Sequence, residues 1–220
     1  YGCAVQQGRA LKTAMIGIID YGMGNLGSVE NACRFFKFPA RIVTKPGDLS
    51  GCGAMILPGV GAFGDCMSHL TKFGFVEPVK EWISSGKPFL GICLGLQMLF
   101  EGSEESPGVR GLGVFRGQVK KFRIPAEYKV PQIGWNQVRQ RQPACPLFAG
   151  VPDNSFFYFV HSYYVDPEDA GLAAGMTDYG MTYTSAVWKD NVMAVQFHPE
   201  KSHDTGLRML RNFAELKADK

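Results

Sequence analysis

Apolar and polar positions in the first half of the chain switch between two periods. Residues 15–20 (MIGIID) are an apolar run of strand length, and residues 26–37 take up helical spacing that ends near Pro39. Apolar runs at 40–44 and 53–57 predict a second and a third strand. Helical spacing returns over 65–72 and 76–85, with Gly86 as a stop signal. Residues 88–92 predict a fourth strand that leads at once into a helix over 94–101. Continuous apolar strands alternating with helices imply a parallel sheet covered on both faces. The second half reads as strands over 113–122, 132–139, 155–160 and 181–187, joined by short polar or Gly/Pro loops. Lys189-Asp190-Asn191 predicts a hairpin turn into residues 192–197, and residues 206–217 a closing amphipathic helix. The pattern predicts an α/β fold, a mostly parallel doubly wound sheet with an added antiparallel strand layer. It shows no linker and no internal repeat.

Composition narrows this picture. With 220 residues, 45% hydrophobic and 20% charged, the chain can build one large core without a disulfide or metal staple. The mixed composition excludes collagen-like, disordered and coiled-coil classes. A net charge of +3 is mild for a nucleic-acid binder, and the densest basic cluster, Lys120, Lys121 and Arg123, reads as a solvated strand face. No run approaches the ~18–20 apolar residues of a membrane span. Residues 1–14 have no apolar h-region, and Met15 stands directly before the first strand. The reading is therefore an N-terminal extension or expression remnant over 1–14 and a single domain over 15–220. Six cysteines (Cys3, Cys33, Cys52, Cys66, Cys93, Cys145) show no C-x-x-C spacing and make no zinc pattern with the four histidines. Scattered thiols of this kind suit a reducing cytoplasm.

The sharpest chemical feature is Gly91-Ile92-Cys93-Leu94-Gly95, a strand running through G-x-C-x-G into a helix. This is the thiol form of a nucleophile elbow: small residues on both sides let the backbone turn sharply and expose the side chain between them. The helix N-terminus beneath the sulfur favours a thiolate, and the Leu94 amide is placed to meet an oxyanion. As a lone residue Cys93 would read as a buried core thiol. A nucleophilic thiol needs a base with an orienting group. His198-Pro199-Glu200 offers both, since Pro199 holds His198 extended and an extended segment puts residues i and i+2 on one face. The bland alternative is a strand-ending turn with a solvated Glu. His161 is a rival base without a carboxylate at i+2, and reads as a structural or substrate-wall residue. Pro58-Gly59-Val60-Gly61, after the third strand, could supply a second oxyanion amide if that strand neighbours the elbow strand; otherwise it is a tight turn. Gly22-Met23-Gly24-Asn25-Leu26-Gly27 matches G-x-G-x-x-G, but the end of the second strand lacks the acidic residue that a dinucleotide site needs.

Taken together, G-I-C-L-G-L-Q at 91–97, F-H-P-E-K-S at 197–202 and P-G-V-G-A-F at 58–63 resemble the triad (class I) glutamine amidotransferases. Y-G-M-G-N-L at 21–26, S-E-E-S-P-G-V at 103–109, G-W-N at 134–136 and F-Y-F-V-H-S-Y at 157–163 resemble one branch of that family. Its members are glutaminase subunits that supply ammonia for histidine biosynthesis. The resemblance runs from about residue 15 to 215. It implies a flavodoxin-like sheet and hydrolysis of glutamine to glutamate and ammonia, with Cys93 as nucleophile, His198 as acid and base, and Glu200 orienting it. Val60, Gly61 and Leu94 would form the oxyanion hole. Gly61, Gln97, Ser162 and Tyr163 would contact glutamine. No metal and no organic cofactor is implied, and neither nucleic acid nor membrane is a partner. The implied partner is a barrel-shaped cyclase subunit in a heterodimer, which uses the ammonia to make imidazole glycerol phosphate and AICAR. Asn25, Trp135 and Lys201 would lie at that interface. One position departs from the family's usual P-H-M-G-W-N: Gln132 stands at the His position and cannot titrate. Two other readings stay open, a paralogue feeding ammonia to a different synthase and a non-catalytic dinucleotide-binding or interaction module. The order of the motifs predicts a Cys93 sulfur within hydrogen-bond reach of a His198 ring nitrogen, or slightly beyond it without substrate.

Overall fold

A computed structural model describes residues 14–216. The expected extension over 1–14, apart from Ala14, lies outside the described residues, as does Lys217 at the end of the predicted closing helix. The first half follows its hydrophobic pattern: β1 (Met15–Ile19), α1 (Leu26–Phe35), β2 (Ala40–Val43), β3 (Cys52–Gly59), α2 (Phe63–Lys72), α3 (Val76–Ser84) and β4 (Phe89–Cys93). A four-residue α4 (Leu94–Gln97) follows β4 without a break. The second half holds β5 (Gly102–Ser103), β6 (Gly117–Lys121), β7 (Gln132–Gln140), β8 (Ser155–His161), β9 (Tyr163–Pro167), β10 (Ala173–Asp178), β11 (Thr182–Lys189) and β12 (Val192–Val195), and closes on α5 (His203–Ala214).

One mixed sheet runs β2-β1-β3-β4-β12-β11-β10-β7-β8. From β2 to β12 all neighbours are parallel, and from β12 to β8 all are antiparallel. The antiparallel strands thus join the parallel block edge to edge through β12, and β9 attaches to both β11 and β6. The inner parallel strands β1, β3, β4 and β12 are buried on both faces, as their apolar runs require; Leu57, Phe89 and Ala194 have no exposed surface, while the edge strand β2 leaves Ile42 exposed. Each such large side chain contributes about 1.5–3 kcal/mol by leaving water.

The structure departs from the expected elements in three places. The helix after Cys93 stops at Gln97 instead of continuing to 101. Its next carbonyls are captured by a returning segment: Leu112 N–H donates to Met98 O at 2.7 Å and Val114 N–H to Leu99 O at 2.8 Å. The same bonds explain why the strand expected from residue 113 begins only at Gly117. Strands β5, β9 and β10 are absent from the expected pattern: β5 has only two residues, β9 follows β8 after the single residue Ser162, and the AAGMTD of β10 lacks the β-branched run of a typical strand. Within the basic cluster, Lys120 pairs with Asp166 at 2.6 Å and Arg123 with Glu104 at 3.0 Å, so its charge is largely matched on an exposed face. Among the described residues no helix is long and apolar enough to cross a membrane.

Candidate active site

Three adjacent parallel strands end at one edge of the sheet. Register sets Gly59 of β3 beside Cys93 of β4, and Ile92 beside Val195 of β12. The residues just beyond these strands, Val60–Gly61, Cys93–Leu94 and Gln196–His198, therefore meet although they are far apart in the chain. The carboxyl edge of such a sheet is where α/β folds gather ligands.

Cys93 sits at the elbow with φ 56° and ψ −108°, a backbone conformation that costs a non-glycine residue energy. Close packing holds it there. A Cβ on Gly95 would run into the Leu57 carbonyl oxygen, and one on Gly91 would lie 2.7 Å from the Gly95 carbonyl oxygen. The two glycines of G-x-C-x-G are thus required by the approach of α4 to β3 and β4. Cys93 is 2% exposed and lines a cavity of about 270 Å³.

His198 and Glu200 are also buried, with side chains 2% and 1% exposed. His198 Nδ1 lies 2.8 Å from Glu200 Oε1. His198 is extended, as the following proline demands, but Glu200 reaches it through a short 3-10 turn over Pro199–Lys201 and not along a strand face as expected. Burial pushes the imidazole toward its neutral form. Cys93 and the Glu200 carboxylate together outweigh burial and hold its pKa at about 10. His198 Nε2, the ring nitrogen not turned to Glu200, is buried and has no partner at hydrogen-bond distance. The nearest bond to the sulfur comes from Gln196, whose Nε2 donates to Sγ at 3.7 Å.

The glycine loop after β3 lines the same cavity through Val60 and Gly61. Its carbonyls are pinned: Tyr21 O–H donates to Pro58 O at 2.9 Å and the Cys66 thiol to Val60 O at 3.4 Å. Burial pushes the Cys66 thiol up to about 11, so it carries the proton it donates. The first two amides of α2 are held by the S-E-E-S segment, Phe63 N–H by the Glu105 carboxylate at 2.7 Å and Gly64 N–H by Ser106 Oγ at 3.0 Å. The G-x-G-x-x-G segment packs against this loop through Gly24 and Met23. A Cβ on Gly24 would lie 3.2 Å from the Pro58 ring, and one on Gly61 2.9 Å from Met23 Cε.

Gln97, 2% exposed, spends both Nε2 protons inside the protein, on Tyr163 O at 3.1 Å and on Gln196 Oε1 at 3.0 Å. Ser162 and Tyr163 form a further wall, with the Ser162 carbonyl taken by Phe122 N–H. The structure therefore brings Cys93, His198, Glu200, Val60, Gly61, Leu94, Gln97, Ser162 and Tyr163 to one place. Two residues there were missed in the sequence. Gln196, fully buried, was legible as an amide inside the apolar run 192–197, two positions before His198. Glu105 lines the cavity from a loop, and no spacing rule pointed to it.

Trp135 and Lys201 lie apart from the cavity floor. Trp135 is 45% exposed and stacks on His203 at 4.8 Å, and Lys201 Nζ stands 5.9 Å from the Tyr158 ring centre. Pairing of Ile133 with Val160 and of Trp135 with Tyr158 puts all four on one face of the β7–β8 hairpin. Ile133 on that face is 62% exposed. Asn25 precedes α1 and makes no capping bond to it. Among the described residues no cluster of three His, Cys, Asp or Glu could hold a metal ion, and Cys33, Cys52, Cys66, Cys93 and Cys145 are free and buried.

This arrangement, an elbow thiol, an imidazole–carboxylate pair and glycine-loop amides at a sheet edge, is the layout of a thiol-dependent acyl-transfer enzyme. A family profile described as glutamine amidotransferase class-I matches residues 18–216, and the chain belongs to that family. Among curated relatives, it is 51% identical over 207 residues to the imidazole glycerol phosphate synthase subunit HisH of Syntrophotalea carbinolica, covering 92% of this chain and 100% of that one. It is likewise 51% identical to the HisH subunit of Thermococcus kodakarensis, with the same coverage. Among solved structures, the fold is shared with PurLQS from Thermotoga maritima (TM-score 0.74, 16% identity, 91% of this chain and 97% of that chain). It is also shared with a glutamine amidotransferase crystal structure (TM-score 0.70, 20% identity, 91% and 99%).

Proposed function

We propose that this chain is the glutaminase subunit of an imidazole glycerol phosphate synthase, releasing ammonia from glutamine for histidine biosynthesis. The observation that carries the reading is a buried His198–Glu200 pair beside a strained elbow cysteine on one cavity, in a chain half-identical to full-length HisH subunits.

The residues divide the work as follows. With a pKa near 10, His198 is an imidazolium at neutral pH, placed to activate Cys93 as the nucleophile. The thiolate attacks the side-chain carbonyl carbon of glutamine. The resulting oxyanion is met by the amides of Leu94 and of the Val60–Gly61 loop. His198 gives its proton to the leaving nitrogen, ammonia departs, and a glutamyl thioester remains on Cys93. His198, now neutral, takes a proton from water, which attacks the thioester and frees glutamate and the thiol. Glu200 stabilises each imidazolium and holds the ring in place. Gln97, Gly61 and the Ser162–Tyr163 backbone orient glutamine, and the Glu105 carboxylate matches its α-ammonium group in charge.

Ammonia set free in water would be protonated and lost as a nucleophile, so the product needs a sheltered acceptor. The barrel-shaped cyclase subunit fills that role, seated on the apolar face of the β7–β8 hairpin with Trp135, Lys201 and Asn25 in its contact zone. The exposed Ile133 and the half-exposed Trp135 support this docking face. A reducing compartment such as the cytoplasm suits five free, buried thiols. The test is glutamate release by the purified chain, alone and with its cyclase. The expected result is stimulation by the cyclase and loss of at least about a thousandfold in Cys93→Ala. Undiminished glutamate release by Cys93→Ala would overturn the reading.

A further inference from the structure

The carbonyl oxygen of Tyr163 accepts two hydrogen bonds, one from Gln97 Nε2 at 3.1 Å and one from His161 Nδ1 at 2.8 Å. A carbonyl only accepts, so His161 carries its proton on Nδ1. Burial depresses this imidazole to about 4, which leaves the ring neutral at pH 7 and Nε2 a bare acceptor. The Tyr183 hydroxyl lies 3.2 Å from that Nε2 and 2.9 Å from Gln132 Oε1. It has one proton for two acceptors. At the same time Gln132 Nε2, sealed from solvent, has no partner. A half-turn of the Gln132 amide removes both faults. The NH₂ then donates to the Tyr183 oxygen, Tyr183 donates to His161 Nε2, and His161 donates to the Tyr163 carbonyl. A carbonyl oxygen is left unpaired in place of an N–H, the less costly of the two.

We propose that Gln132 is a positioning residue: it starts a one-directional hydrogen-bond chain through Tyr183 and His161 to the Tyr163 carbonyl, which holds the Gln97 amide in place at the cavity wall. Beyond Gln97 the chain continues through Gln196 to the Cys93 sulfur, so it joins the first residue of the partner-facing strand β7 to the nucleophile. The inference rests on the cavity being the glutamine site. It goes further in giving a task to Gln132, Tyr183 and His161, none of which touches the reacting atoms.

Gln132→Glu tests the direction of the chain. An ionised carboxylate only accepts, so it draws the Tyr183 proton away and leaves His161 Nε2 without a donor. A protonated carboxyl donates and restores the chain. The titratable groups around this position are Tyr183 on β11 and His161 on β8, with Tyr179 acting on Tyr183 and His198 acting on His161; Lys129, in the loop before β7, is exposed. Activity is read as kcat/KM for glutamine relative to wild type at each pH, which divides out the titration of the triad. For Gln132→Glu the expected ratio is down about tenfold at pH 8 and recovers on acidification, while Gln132→Leu stays about tenfold down throughout. Nitrogen NMR of His161 provides a readout independent of turnover. Wild type should show Nδ1 protonated and Nε2 accepting, and Tyr183→Phe should shift the Nε2 resonance. A pH-independent Gln132→Glu ratio, an Nε2-protonated His161 in wild type, or an unmoved Nε2 in Tyr183→Phe overturns the proposal. If wild type released no glutamate at all, the glutamine reading would fail while the NMR measurement still judged the chain.

Discussion

The ends of β12 and β8 each bring a buried histidine to the same cavity, yet the two rings hold opposite charge states. His198 is held up at about 10, whereas His161 is pushed down to about 4. Burial acts downward on both. What differs is the partner. His198 faces the Glu200 carboxylate at 2.8 Å with the Cys93 thiol nearby, while His161 has only a backbone carbonyl and a tyrosine hydroxyl. Neutral dipoles do not offset the desolvation of an imidazolium; an anion does. One cavity thus contains an imidazole held in its charged form and a ring locked in a single neutral tautomer.

The largest effect that can test this contrast is His198→Asn, which removes the proton carrier and should lower kcat for glutamine hydrolysis by about a thousandfold. A loss under tenfold would mean that His161 or water does the proton transfer. Next comes Glu200→Gln. Without the carboxylate the His198 pKa falls, so the alkaline limb of the pH–rate profile should move to lower pH, with a loss of about 10–100-fold. An unmoved limb would assign the raised pKa to Cys93 alone. His161→Asn should cost about tenfold in kcat/KM through positioning. Its clearer signature lies in stability. Because the native pKa is depressed, the stabilisation is complete above about pH 6.5 and is lost as pH falls toward 4. This amounts to roughly 3 kcal/mol, and His161→Asn should abolish that part of the acid sensitivity of the urea midpoint. For His198 the sign is reversed: its contribution is present below about pH 6.5 and is lost as pH rises through about 10, so Glu200→Gln should flatten the alkaline side. The smallest effect belongs to Lys201→Ala, next to the triad but exposed. It should weaken cyclase binding about two- to fivefold in titration and leave the basal glutaminase rate unchanged.

Much of the site could be read from short motifs because each motif is a local mechanical device. G-x-C-x-G states its own turn, and the packing at Gly91 and Gly95 shows why no larger residue fits. His198 and Glu200 are close enough in sequence to meet whether the segment is extended or a 3-10 turn, so the pairing survived a wrong expectation about the backbone. Other groups carry no such local signal. Glu105 reaches the cavity only because its loop caps α2. Gln196 acquires a role only once β12 lies beside β4. The short α4 and the late start of β6 were illegible because both follow from hydrogen bonds between residues 98–100 and 112–115, a contact that no single window of sequence contains.

From its amino acids alone this protein reads as an α/β sheet with an elbow nucleophile, a histidine–carboxylate pair and a glycine loop, since periodicity, small residues and proline act within a few positions. Which histidine is charged, which amides bind which oxygens, and how Gln132 connects to Cys93 were decided by tertiary structure. Those properties depend on the dielectric and on the partners that neighbouring strands supply, and strands brought together from residues 59, 93, 132 and 198 become neighbours only in the folded sheet.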